Sequence, residues 1–121
     1  MIRRRFGFAL CVAMSACARD AAHLPQPIEG NARRGLEVLR QYECNVCHAI
    51  PGVRGVQGQV GPSLAQYRRN VYIAGKYPNT PEYLIPWLMD TPALAPRTAM
   101  PSLGLGPDEA RDVAAYLYSL R

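Results

Sequence analysis

Residues 44–48 read Cys44-Asn45-Val46-Cys47-His48, two thiols two residues apart with an imidazole directly after the second. The chain has four cysteines. Cys11 and Cys17 fall in the N-terminal stretch discussed below, which leaves Cys44 and Cys47 as the thiols of the main domain. Several chemistries use such a pair. A structural disulfide across two residues is the plainest. A thioredoxin-like dithiol would want a βαβ surround, and none is visible in the flanking sequence. A zinc site would want further Cys or His with their own spacing. The only other histidine, His23, lies far upstream near Pro25.

The remaining reading uses all three side chains. C-x-x-C-H is the attachment pattern of c-type haem. Two thiols add across the two vinyl groups of one porphyrin, and the two-residue spacer lets both sulfurs reach the same edge. The next residue then places an imidazole under the iron. The sequence therefore predicts one haem c per chain, held by Cys44 and Cys47, with His48 as proximal ligand.

Working outward, Asn31 can cap a helix that the pattern predicts from Asn31 to Ala49, with Leu36, Val38 and Leu39 on its apolar face. Gly35 inside it costs roughly 1 kcal/mol against Ala, which close approach by another helix would explain. Pro51 to Gly61 contains four glycines and reads as loop. Gly61-Pro62-Ser63-Leu64 continues it, and a short helix is expected over 63–70. Thr80-Pro81-Glu82 starts a helix as cap, first-turn proline and acid at the positive dipole end. That helix should kink at Pro86 and stop near Asp90. Thr91 to Gly106 reads as loop. Gly106-Pro107-Asp108-Glu109 opens a last helix, with Val113, Tyr116, Leu117 and Leu120 on its apolar face. The fold class is all-α: a few helices wrapped around one covalently attached haem, with no competing β pattern.

The chain has 121 residues, 49% of them hydrophobic, and a formal charge of +5. That length excludes a TIM barrel or a Rossmann dehydrogenase. Residues 1–16 read as an export signal, with Arg3, Arg4 and Arg5 ahead of an apolar run from Phe6 to Ala16. Without those arginines 11 basic and 9 acidic residues remain. Nucleic-acid binding is then not expected. Met14-Ser15-Ala16-Cys17 resembles a bacterial lipobox, making Cys17 a lipidation candidate, although Met14 departs from the usual Leu. The rival is an Ala16-Cys17-Ala18 cleavage site that releases a soluble protein. Residues 17–30 read as a flexible tether and 31–121 as the haem domain. No apolar run is long enough to span a bilayer.

The second axial ligand decides the chemistry. Met89 falls in the Pro81–Asp90 helix beside Trp87 and reads as packing. Met100, in Thr98-Ala99-Met100-Pro101, sits in a loop that could bring a thioether to the distal face. Spacing alone leaves it open whether Met100 is a ligand or an ordinary gap-filling methionine.

The segment from Asn31 to Arg121 resembles the class I c-type cytochromes, the small monohaem electron carriers. The likeness rests on Cys44–His48, Gly61-Pro62-Ser63-Leu64, Thr98–Pro101 and Val113-Ala114-Ala115-Tyr116-Leu117, in that order. Tyr72-Ile73-Ala74-Gly75 and Pro78-Asn79-Thr80-Pro81-Glu82 look like a bacterial subgroup associated with terminal oxidases. The resemblance implies His48 and Met100 as axial ligands. It implies that the Pro62 carbonyl holds the second nitrogen of His48, and that Gly35 meets Tyr116 where the first and last helices cross. Gly61, Pro62, Leu64, Tyr72, Trp87 and Leu103 become haem-pocket candidates, with Tyr72 and Trp87 also able to reach a propionate.

The function so implied is single-electron transfer rather than substrate turnover. The carrier would be periplasm-facing, lipid-anchored or soluble, and monomeric. It would exchange electrons with a terminal oxidase or a quinol-oxidising complex of a respiratory chain. A haem enzyme or gas sensor with a labile Met100 is the alternative, as is a fixed haem subunit of a larger redox complex.

Overall fold

A computed structural model describes residues 28–121. The expected signal at 1–16, Cys17 and the tether as far as residue 27 lie outside the described residues. At the end of that tether Ile28 packs against the core. Among the described residues no helix is long and apolar enough to cross a membrane.

The first helix, α1, spans Ala32–Gln41. Asn31 caps it as expected, its Oδ1 accepting from the amides of Arg33 at 3.0 Å and Arg34 at 3.1 Å. The helix does not continue to Ala49. The Tyr42 amide closes the last turn on the Val38 carbonyl, and Glu43 then takes a left-handed φ of 53°. Such a residue stops a helix, but glycine or asparagine usually fills the position, so a glutamate gave no signal. Cys44–Val46 form a separate 3₁₀ turn.

The last helix, α4, spans Pro107–Ser119. The Glu109 carboxylate accepts from the Gly106 amide at 2.9 Å and from the Tyr42 hydroxyl at 3.0 Å. It thus closes the start of α4 and ties it to the end of α1. The two helices cross at Gly35. A Cβ there would lie 2.0 Å from the Asp112 carbonyl oxygen and 3.0 Å from Tyr116 Cβ, so only glycine permits the approach. Val38 and Leu39 of α1 and Ala110, Val113, Ala114 and Leu117 of α4 are buried around it. Beside the crossing Asp112 accepts from the Asn31 amide at 2.6 Å and pairs with Arg34 Nε at 2.9 Å. Burial pushes its carboxyl up, but the Asn31 and Arg34 bonds outweigh that and hold it below the ordinary 3.8.

The helix α2 spans Pro81–Met89 and runs through Pro86. Thr80 starts it with its backbone alone; its Oγ1 is buried without a partner. The chain then enters α3, Thr91–Leu94, where loop was expected. Pro92 reads as a breaker, yet it lies in the first turn of α3, where a missing N–H costs no bond.

A two-stranded hairpin also departs from the all-helical expectation. Strands β1 (Tyr72–Ile73) and β2 (Tyr77–Pro78) pair antiparallel, Tyr72 opposite Pro78 and Ile73 opposite Tyr77. Ala74 and Gly75 both have left-handed φ, 51° and 68°, the mirror-image turn that matches strand twist. Strands of two residues carry no alternation for a pattern to register. The helix expected over 63–70 is a 3₁₀ turn at Tyr67–Arg69.

Candidate functional site

A cavity of about 800 Å³ lies between these elements. Cys44, Cys47, His48, Gly61, Pro62, Leu64, Tyr72, Trp87, Met100 and Leu103 all line it. Residues far apart in sequence thus meet on one space. Met89 does not line it but packs against the core.

One wall is built locally. The His48 amide reaches back to the Cys44 carbonyl at 3.0 Å, so the two thiols and the imidazole share one tight turn. The next segment is stitched to it, Gly61 N–H to the Cys47 carbonyl at 2.8 Å and Leu64 N–H to the Ala49 carbonyl at 2.9 Å. This brings the Pro62 carbonyl to 2.8 Å from His48 Nδ1. A carbonyl only accepts, so Nδ1 carries the proton and the Nε2 lone pair is left free for a metal. Gly61 is required here as well, since a Cβ would sit 2.2 Å from His48 Cε1. Cys44 and Cys47 are free thiols. Burial pushes the Cys44 thiol up, and Cys47 beside it adds to that.

The opposite wall is assembled from separate pieces. The hairpin contributes Tyr72 and Ile73, α2 contributes Leu84, Trp87 and Leu88, and the segment after α3 contributes Met100 and Leu103. Trp87 and Leu64 are buried, while Tyr72 and Leu103 are exposed at the rim. Tyr67, Ile73 and Leu94 also line the cavity and were not among the pocket residues expected from the sequence. Asn79 anchors this side, donating to the carbonyls of Tyr67 at 3.2 Å and Asn70 at 2.9 Å while accepting from the Tyr118 hydroxyl at 2.9 Å. Burial pushes the Tyr118 phenol up to about 12.

The arrangement fits a haem better than its rivals. The volume suits a porphyrin-sized molecule, the lining is largely apolar, and two free thiols stand beside an imidazole with one nitrogen already committed. A zinc site is poorly served, because among the described residues no three His, Cys, Asp or Glu side chains group to hold a metal ion.

A helical shell with a thiol pair and an oriented imidazole on a porphyrin-sized cavity fits a haem-binding protein. The Cytochrome c family profile matches residues 32–121, and the chain belongs to that family. It is a c-type cytochrome that carries covalently bound haem c and transfers electrons. Over 102 residues it is 28% identical to cytochrome c oxidase subunit 2 of Alkalihalophilus pseudofirmus. That match covers 84% of the chain but only 29% of the relative's length.

Solved structures share the fold. SoxXA from P. pantotrophus aligns with a TM-score of 0.59 at 19% identity, covering 81% of this chain and 84% of that one. Cytochrome c2 from Rhodobacter capsulatus aligns with a TM-score of 0.55 at 24% identity, covering 74% and 97%. A variant of ferric cytochrome c-550 from Paracoccus versutus aligns with a TM-score of 0.55 at 20% identity, covering 76% and 97%.

Proposed function

We propose that the protein is a periplasm-facing carrier that shuttles single electrons through a haem ligated by His48 and Met100, in exchange with a terminal oxidase or a quinol-oxidising complex. The observation that carries this reading is the meeting of Cys44, Cys47, His48 and Met100 on one cavity. The haem supplies the Fe(III)/Fe(II) couple. Cys44 and Cys47 attach it through thioether bonds. His48 would hold the iron through Nε2, with the Pro62 carbonyl fixing the ring. Met100 would hold the iron from the opposite wall, closing it to substrate and raising its potential relative to two nitrogen ligands. Leu64, Trp87 and Ile73 exclude water, which also favours the less charged reduced state.

The surface around the attachment turn supports docking at the exposed haem edge. From Cys44 to Gln66 the only Lys, Arg, Asp or Glu is Arg54. Val46, Val56 and Val60 are exposed there, and Val46 and Val60 line the cavity mouth. Glu43, Lys76 and Arg97 from other segments also line the cavity, with a net charge of only one. Electrons would pass at the valine-rich edge in a small, short-lived contact. The likeness to an oxidase subunit supports an oxidase as partner. Because that relative is a longer protein, it also favours a second reading, in which this chain is a fixed haem subunit of a larger complex. Lipid on Cys17 would tether the protein to the membrane face.

Reduced holoprotein mixed with oxidase-containing bacterial membranes tests the carrier role. Cyanide-sensitive reoxidation is expected. Reoxidation by a small inorganic oxidant but not by the membranes would remove the oxidase as partner. Co-purification in a stable complex would favour the fixed subunit. Cys17→Ser should move the protein from the membrane to the soluble fraction.

A further inference from the structure

Met100 sits in a segment with little regular structure, between the end of α3 at Leu94 and the start of α4 at Pro107. Among the described residues, the backbone of 96–105 makes one hydrogen bond to other backbone there, Thr98 N–H to the Ala95 carbonyl at 2.9 Å. Pro101 follows Met100 and has no N–H to give. Side chains hold the segment instead. The Thr91 hydroxyl donates to the Met100 carbonyl at 2.6 Å. The Met100 amide donates to Thr98 Oγ1 at 3.1 Å, and the Ser102 hydroxyl donates to the Met89 carbonyl at 3.1 Å.

Thr91 differs from the other two in its setting. It is only 1% exposed, and its own carbonyl is engaged by the Ala95 amide at 2.9 Å as α3 closes. Its hydroxyl is therefore presented from a rigid, buried turn, whereas Thr98 moves with the segment it bonds. Thr91 does not line the cavity, so whatever it does for the haem it does through Met100.

We propose that Thr91 is a positioning residue for the distal ligand: its buried hydroxyl pins the Met100 carbonyl and keeps the thioether on the iron. The proposal rests on Met100 being that ligand. A neutral buried hydrogen bond makes a modest net contribution, but losing its donor strands the acceptor. Without the Thr91 hydroxyl the segment swings out more often, and an incoming ligand finds the iron open in proportion to that population.

The test is a titration of oxidised holoprotein with imidazole, following loss of the far-red absorption band of a thioether-bound ferric iron. Thr91→Val keeps the side-chain shape and removes the donor; imidazole should bind about fivefold more tightly. Thr91→Ser keeps the hydroxyl and should restore the wild-type affinity. Val113→Ala loosens the core on α4 and should leave the affinity unchanged, which separates a pin from general destabilisation. Equal affinity in wild type and Thr91→Val, or an equal increase in Val113→Ala, would overturn the proposal.

Met100→Ala keeps the two readings distinguishable. If the band persists in that variant, Met100 is not the ligand. If the band is lost there while Thr91→Val behaves as wild type, only the Thr91 proposal fails. Should Thr91→Val not accumulate, NMR of the wild-type reduced protein decides the matter. A slowly exchanging Thr91 hydroxyl proton close to Met100 supports the pin, and a freely exchanging one overturns it.

Discussion

The two walls of the haem cavity are built in different ways. The His48 wall comes from 21 consecutive residues, Cys44 to Leu64, held by short backbone bonds and by a glycine that admits the imidazole. The Met100 wall draws on a hairpin, two helices and an irregular segment, joined mainly by side-chain bonds from Asn79, Thr91 and Thr98. The first wall has little freedom to rearrange. The second depends on buried polar contacts, each of modest net value. Lesions on the first should therefore abolish the site, and lesions on the second should tune it.

The largest effect is expected at Gly61. In Gly61→Ala the new methyl meets the His48 ring, so the ring turns and gives up the Pro62 carbonyl. Haem incorporation, read by haem staining of denatured protein, should collapse. Normal incorporation would mean that the His48 wall is less rigid than described.

Gly35→Ala comes next, because it forces apart the α1–α4 crossing. Overpacking of this kind costs about 1–3 kcal/mol, occasionally more. Thermal unfolding of the holoprotein should register it as a fall in Tm. An unchanged Tm would show that the helices can slide to admit a methyl.

Met100→Ala acts on the second wall alone. Haem attachment should survive, while the reduction potential should fall by on the order of 100 mV, given that axial ligands set potentials over about 0.8 V. An unchanged potential would remove Met100 from the iron.

The smallest effects concern charge. Asp112 has a folded pKa below its ordinary 3.8. Its contribution is therefore fully present above that value and is lost as pH falls through the lower, folded one. Asp112→Asn should flatten the stability profile in that acid window and leave its shape near neutrality unchanged. Electron exchange at the valine-rich edge should depend only weakly on ionic strength, because Arg54 is the one charged side chain between Cys44 and Gln66 and the charged residues lining the cavity, Glu43, Lys76 and Arg97, carry a net charge of only one. A steep salt dependence would place the docking surface elsewhere.

The same contrast governs what the sequence reveals. The meeting of Cys44, Cys47 and His48 on one cavity wall is legible because they lie within a single turn of five residues. The start of α1 at Asn31 and of α4 at Pro107 follow from caps and first-turn prolines, which are local. The end of α1 is not legible, since Glu43 takes a conformation more often filled by glycine. Nor is α3, because Pro92 is ambiguous between breaker and starter until the chain around it is placed. The hairpin is too short to leave a pattern. Thr91 is the hardest to foresee: nothing in Thr91-Pro92 indicates that its hydroxyl reaches a carbonyl nine residues on. Contacts between distant segments build the Met100 wall, and a single sequence carries little trace of them.

The most direct measurement is the visible absorption spectrum of the oxidised protein beside that of Met100→Ala. The account predicts covalent haem in both, a far-red band in the wild type and its loss in the variant, whose reduced form should then bind carbon monoxide. A wild type without the band, or a variant that retains it, would contradict a His48–Met100 electron carrier.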